Sequence, residues 1–186
     1  AAARNRDAGS GEYWFRRATE AGAKVGVVTF TPFIDEAAQR GDLPAAEMWF
    51  RRAQETGLRC SEVALGALIN AAANAGNLSA AKFWHRWLLR WGLTCNVATY
   101  TTLIKAAGES GDPSSAERWY WQAHREGIVP NVVMYSALIS AVRDDVAAAE
   151  GWLRRAIADQ VQPNVVTYNA LIDACARVGE MARAEA

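Results

Sequence analysis

Along the chain an apolar pair keeps returning in the same setting: Phe33-Ile34, Leu68-Ile69, Leu103-Ile104, Leu138-Ile139 and Leu171-Ile172. Three residues before each pair stands an aromatic residue or a leucine, at Phe30, Leu65, Tyr100, Tyr135 and Tyr168. Spacings of three and four residues share one face of a helix, so each set predicts a first helix of about three turns with an inner packing stripe. Gly41, Gly76, Gly111 and Gly179 follow, where a left-handed residue closes the helix and lets the chain reverse.

A second amphipathic segment follows each of these, as in Ala46-Glu47-Met48-Trp49-Phe50, Ala81-Lys82-Phe83-Trp84-His85 and Ala116-Glu117-Arg118-Trp119-Tyr120. It ends at Gly22, Gly57, Gly92 or Gly127, and Pro130-Asn131 and Pro163-Asn164 mark the turn into the next block. Trp14, Trp49, Trp84 and Trp119 lie 35 residues apart, and Trp152 follows after 33. The blocks are 27–61, 62–96, 97–131 and a shortened 132–164, flanked by partial repeats 1–26 and 165–186. Two antiparallel helices cannot bury both apolar faces alone, whereas stacked neighbours can. The expected fold is therefore an all-α, right-handed α-solenoid of stacked helix-turn-helix hairpins with a 35-residue period.

The periodic tryptophans, beside Phe15, Phe50 and Tyr120, are expected to form inter-repeat core. Trp87, Trp91 and Trp121 fall outside the period. The first two extend the face of Trp84, whereas Trp121 is expected nearly opposite Trp119, and these surplus rings are candidates for contact with a protein partner. Arginine pairs recur on the second helix as Arg16-Arg17, Arg51-Arg52 and Arg154-Arg155, with Arg86 and Arg90 nearby. One reading is a solvated face whose stems cover apolar surface; the other is a docking strip for a protein or an RNA backbone.

With 51% hydrophobic and 22% charged residues among 186, the chain can bury a substantial core. Twenty basic and twenty acidic residues cancel, so no global field draws it toward a polyanion. No apolar run reaches the roughly 20 residues of a membrane span. Cys60, Cys95 and Cys175 form no C-x-x-C pair, which suits small buried thiols in a reducing compartment. His85 and His124 occupy different places in the repeat, and no phosphate loop, nucleophile elbow, zinc motif or H-x-E with C-x-x-C pattern appears. No catalysis, metal, cofactor or small-molecule substrate is expected. The chain opens on Ala1, so any targeting segment is expected to have been removed or to lie outside these residues.

Val165-Val166-Thr167-Tyr168-Asn169-Ala170-Leu171-Ile172-Asp173 reads like the opening of a pentatricopeptide repeat. So do Val132 to Ile139 and, with Phe30 in place of tyrosine, Val28 to Ile34. On these motifs and the period, essentially the whole chain resembles that family. The tetratricopeptide repeat differs in its period of about 34 residues and its Trp-x-x-Leu-Gly opening. The resemblance implies single-stranded RNA as ligand, one nucleotide per repeat, read by the fifth and last residues of each repeat. Those pairs would be Thr31 with Ser61, Gly66 with Asn96, Thr101 with Asn131, and Ser136 with Asn164, followed by Asn169. Thr101 with Asn131 resembles an adenine-reading pair, and Asn169 would lean toward a pyrimidine. Val28, Val63, Ala98, Val133 and Val166 would clamp the bases from the sides. The resemblance also implies a mitochondrion or plastid as the location.

Where the family commonly ends its first helix with a phosphate-facing lysine, this chain has Gln39, Asn74, Glu109 and Arg177. Weak RNA binding is expected from such a groove, with a kink where the short block lacks two residues between Ser140 and Asp145. Two functions follow: a non-catalytic organellar adaptor binding single-stranded RNA, or a structural subunit clasping protein inside a ribosome, respiratory complex or photosystem. Partial repeats at both ends leave apolar faces that further chain or a partner would cover.

Overall fold

The computed structural model describes residues 27–57 and 61–179 together with Tyr13, Phe15, Arg16, Arg17, Glu20 and Ala21, without the side chains of Val27 and Val28. Trp14, Gly22, Cys60 and the Val28 clamp therefore lie outside the described residues. Among those described, nine helices and no strand occur. The first helices of the repeats are α1 (Val27–Arg40), α3 (Glu62–Asn74), α5 (Val97–Glu109), α7 (Val132–Ala141) and α9 (Val165–Val178). Their partners are α2 (Leu43–Glu55), α4 (Leu78–Arg90), α6 (Pro113–Arg125) and α8 (Val146–Ala158). The five first helices begin at residues 27, 62, 97, 132 and 165.

The chemistry at these starts explains the register. Ser61, Asn96, Asn131 and Asn164, the last residues of their blocks, are N-caps whose side-chain oxygens accept the backbone N–H three residues on. Each satisfies one of the donors a helix leaves open at its start. Asp42, Asn77, Asp112 and Asp145 do the same for the second helices. Helix ends reverse through left-handed glycines, from Gly41 to Gly179, with φ between 67° and 80°. The second helix of the short block ends instead on Gln160, with φ 59°.

The chain divides into two compact units, residues 1–95 and 96–186. In the first, α1 packs on α3 and each first helix packs on its own partner. Phe15 meets Trp49 edge-on at 5.5 Å, and Phe50 meets Trp84 edge-on at 5.4 Å. The residue after one periodic tryptophan thus packs against the tryptophan of the next repeat. Phe33 stacks on Trp49 at 4.4 Å, and the Trp84 indole donates to Glu47 across 3.2 Å. At the helix ends, the Asn74 amide donates to the Ala38 carbonyl at 2.8 Å, tying α3 to α1.

In the second unit α7 packs between α5 and α9. Tyr120 repeats the ring relay, meeting Trp152 edge-on at 4.7 Å. The α5–α7 crossing is close: a Cβ on Gly108 would lie 2.8 Å from both Cα and Cβ of Ala141. Helix α7 stops at Ala141 without a glycine; the Asp145 N–H closes the turn on the Val142 carbonyl at 2.8 Å. In α9 the expected inner stripe is uncovered, with Tyr168 and Ile172 about half exposed, because no described helix lies over it.

Two glycines at interior helix positions give opposite expectations. Gly108→Ala is expected to destabilise by about 1–3 kcal/mol, because backbone must move to admit the methyl group. Gly66→Ala, with nothing within 4 Å of the added carbon, is expected to stabilise by about 0.5–1 kcal/mol through reduced chain entropy. Urea denaturation followed by circular dichroism compares them; a Gly108→Ala chain as stable as wild type would contradict the close crossing.

Candidate nucleic-acid interface

Small apolar residues at the second position of α3, α5, α7 and α9 project into solvent. Val63, Val133 and Val166 are 61%, 58% and 62% exposed, and Ala98 is exposed as well. Leaving β-branched apolar side chains in water is unfavourable, so their recurrence at one register is a feature the helices do not need for folding. The last-position residues Asn96, Asn131 and Asn164 are exposed too, and Ser61 is partly so. Because a backbone N–H can only donate, the atom it meets must be the asparagine oxygen. The amide nitrogen is thereby directed away from the helix, as a donor.

The fifth-position residues do not behave alike. Thr101 is partly exposed, and its hydroxyl donates to the Val97 carbonyl at 2.7 Å, leaving lone pairs to accept with. Thr31 is partly exposed, Gly66 brings no side chain, and Asn169 is exposed. Ser136 departs from the expectation of a residue open to a base: it is buried, with its hydroxyl 2.8 Å from that of Thr167. It is covered because α9 packs against α7, the helix that carries it.

Within the second unit Thr101, Val133, Ser136 and Val166 line a groove of about 420 Å³, together with Lys105 and Arg143, whereas the asparagine caps are not part of its lining. Two cations stand there that the motif comparison did not single out. Lys105 sits one turn before the place of the family's lysine and pairs with Glu109 at 3.7 Å, both well exposed. Arg143 lies in the turn of the short block, where loss of two residues brings it to the groove and to an adjoining cleft of about 370 Å³. A scan of each repeat for basic residues within a turn of the helix end would have found both. Arg177, the basic residue expected to face phosphate, is held by Asp173 at 2.9 Å.

The second helices carry the other candidates. Trp87 is partly covered, 5.9 Å from Trp84, and 6.0 Å further lies Trp91, half exposed. Trp121 is nearly half exposed and packs beside Trp152 at 6.3 Å. Arg52 lies over Trp49 at 5.0 Å and Arg155 over Trp121 at 5.5 Å, whereas Arg51 is exposed and Arg154 reaches Glu150 at 3.6 Å. In these two pairs one arginine thus covers an indole with its guanidinium, a cation–π contact. His85 is buried and His124 exposed, Cys95 and Cys175 are buried, and the described residues contain no grouping that could hold a metal ion. No described helix is long and apolar enough to cross a membrane.

Below this interface lies a network the sequence did not announce. Tyr120 and Tyr135, both fully buried, join their hydroxyls at 2.9 Å, and Tyr135 donates to the Asp159 carboxylate. The Arg155 Nε reaches the same carboxylate oxygen at 3.2 Å. The hydrogen bond from Tyr135 above all holds Asp159 below the usual carboxylate range. Burial first, then the bond to Asp159, pushes the Tyr135 phenol above its ordinary value.

Stacked two-helix repeats with one exposed, capped helix end per repeat define an α-solenoid of the helical-repeat class. Residues 88–145 match the family model of the pentatricopeptide repeat domain and residues 159–186 that of the PPR repeat. The chain thus contains pentatricopeptide repeats over these two stretches. The crystal structure of the pentatricopeptide repeat protein PPR10 from maize aligns with a TM-score of 0.84 at 18% identity, over 99% of this chain and 27% of that one. PPR10 in complex with an 18-nt psaJ RNA element aligns at 0.83 with 19% identity over the same shares. The PPR domain of Arabidopsis thaliana protein-only RNase P 1 in complex with tRNA aligns at 0.68 and 19% identity, over 82% of this chain and 81% of that one. This chain thus spans 27% of the length of PPR10. No curated protein sequence matches it.

Proposed function

We propose that this chain binds single-stranded RNA along its first helices, one nucleotide per repeat, as a non-catalytic adaptor in a mitochondrion or plastid. The observation that carries the reading is the solvent-exposed row Val63, Ala98, Val133 and Val166, each beside a cap residue, Ser61 or an asparagine. Apolar side chains that face water at one register supply base contact, and the capping amides supply hydrogen bonds at the base edge. PPR10 and the RNase P domain, which share the fold, were each solved with RNA. Lys105 and Arg143 provide the phosphate contacts, so affinity is modest.

A second reading, a structural subunit that clasps protein in an organellar assembly, draws on different residues. Phe83 on α4 and Trp91 at its C-terminal cap stand about half exposed, with Arg86 and Arg90 exposed on the same stretch.

Filter binding of short A-rich and scrambled RNA across salt concentrations tests the first reading. Two neutralised phosphates give a log–log salt slope of about −1.4, and Lys105→Ala is expected to reduce it by about 0.7. Absence of binding, or binding indifferent to sequence, would favour the protein-clasping subunit.

A further inference from the structure

We propose that Thr167 is a positioning residue that fixes the Asn164 amide as a hydrogen-bond donor toward RNA, with buried Ser136 supporting it rather than reading a base. The inference rests on the RNA reading above and goes beyond it by assigning Thr167 a role and removing one from Ser136. Asn164 Oδ1 accepts two bonds from Thr167, from its backbone N–H at 3.1 Å and its hydroxyl at 3.2 Å. In return, Thr167 Oγ1 accepts the Asn164 backbone N–H at 3.3 Å. Thr167 is fully buried, and its remaining contact is the Ser136 hydroxyl at 2.8 Å.

Proton accounting gives this chain a direction. Thr167 has one hydroxyl hydrogen, and it goes to Asn164. With that bond made, Ser136 is the donor to Thr167, and its own hydrogen is used inside the protein. A chain running from Ser136 through Thr167 to Asn164 polarises in one sense, each bond strengthening the next. It ends on an amide whose oxygen is doubly held and whose exposed NH2 can only donate. Adenine and cytosine present an acceptor nitrogen at the centre of the Watson–Crick edge, whereas guanine and uracil present a donor. An Asn164 amide aimed at that central position favours adenine or cytosine, because guanine and uracil would meet it there with a second donor.

The other repeats provide internal comparisons. Asn96 is held twice by Thr99, at 3.0 and 3.2 Å, while Asn131 has only the backbone N–H of Met134, at 3.0 Å. Asn164 alone has a buried serine behind its threonine.

The test uses the full chain and a panel of short RNAs varied one nucleotide at a time. Wild type is expected to prefer adenine or cytosine at the position that Asn164→Ala makes indifferent. Thr167→Val should reduce that preference roughly three- to tenfold, the worth of one hydrogen bond, with preferences elsewhere unchanged. Thr167→Ser should restore it. A purely structural threonine would instead lower affinity for every RNA equally, and that result, or an unchanged preference in Thr167→Val, overturns the proposal. A readout without RNA is the Thr167 hydroxyl proton in NMR, expected to be protected from exchange with water. Exchange at the bulk rate would overturn the chain itself, whereas a protected proton with no RNA binding would overturn the RNA reading, and this role with it, but not the chain.

Discussion

Replacing Trp152 by alanine is expected to destabilise the protein by about 3–5 kcal/mol, the range for removing a large buried aromatic side chain. Trp152 is 8% exposed and receives Tyr120 edge-on at 4.7 Å. Its loss would remove apolar burial and the ring contact through which one repeat holds the next. Trp121 provides the control. It is 45% exposed and touches Trp152 from the outer side at 6.3 Å, so Trp121→Ala should cost about 1 kcal/mol or less. Urea denaturation of the full chain followed by circular dichroism compares the two. Equal losses would contradict the view that the periodic tryptophans, rather than the surplus ones, join the repeats.

The second large effect is expected at Asp159. Its carboxylate is the acceptor on which the buried pair Tyr120 and Tyr135 terminates. In Asp159→Ala the two phenols can still bond to each other, but one hydroxyl hydrogen has no acceptor. An unsatisfied buried donor costs about 1–3 kcal/mol, beyond the loss of the contact with Arg155. Asp159→Asn keeps an acceptor oxygen and should lose less. The pH dependence follows from the direction of the shift: the folded state holds Asp159 below the usual carboxylate range. The resulting stability is present above the unfolded-state value and is lost as pH falls through the lower folded-state value. Wild type and Asp159→Asn should therefore differ most near neutrality and converge in acid. Tyr135 acts at the other end of the scale, since its phenol is raised. Its contribution is complete below the ordinary tyrosine range and declines as the unfolded chain begins to ionise above it. Parallel melts at acid, neutral and alkaline pH decide this; a constant difference between wild type and Asp159→Asn would rule out the coupling.

How far the interface was legible depends on the reach of each signal. Val63, Val133 and Val166, expected as base clamps, share one register that the sequence repeats, and all three are exposed. Thr101 and Ser136 occupy the same register, and both were expected to face a base, Ser136 as the weaker of the two. They differ because α9 brings Thr167 against Ser136, whereas Thr101 turns back on its own helix. Lys105 and Arg143 were overlooked for a related reason: neither stands at the lysine position, and both reach the groove through the packing of α5 and the short turn after α7. Asp159, near the end of its block, gave no hint of the two phenols above it, 24 and 39 residues away.

Helix, turn and period were determined by the chain alone, because each rests on interactions spanning a few residues: apolar spacing, glycine at positive φ, and caps that bond three residues on. A repeat also multiplies the signal, so one ambiguous block is corrected by its neighbours. Only the tertiary structure decided which polar side chains stay open to a ligand and which are used up inside. Hydroxyl direction, carboxylate sharing and the aim of an amide depend on atoms brought together from different helices, to within a few tenths of an ångström. Register along one helix carries no such information.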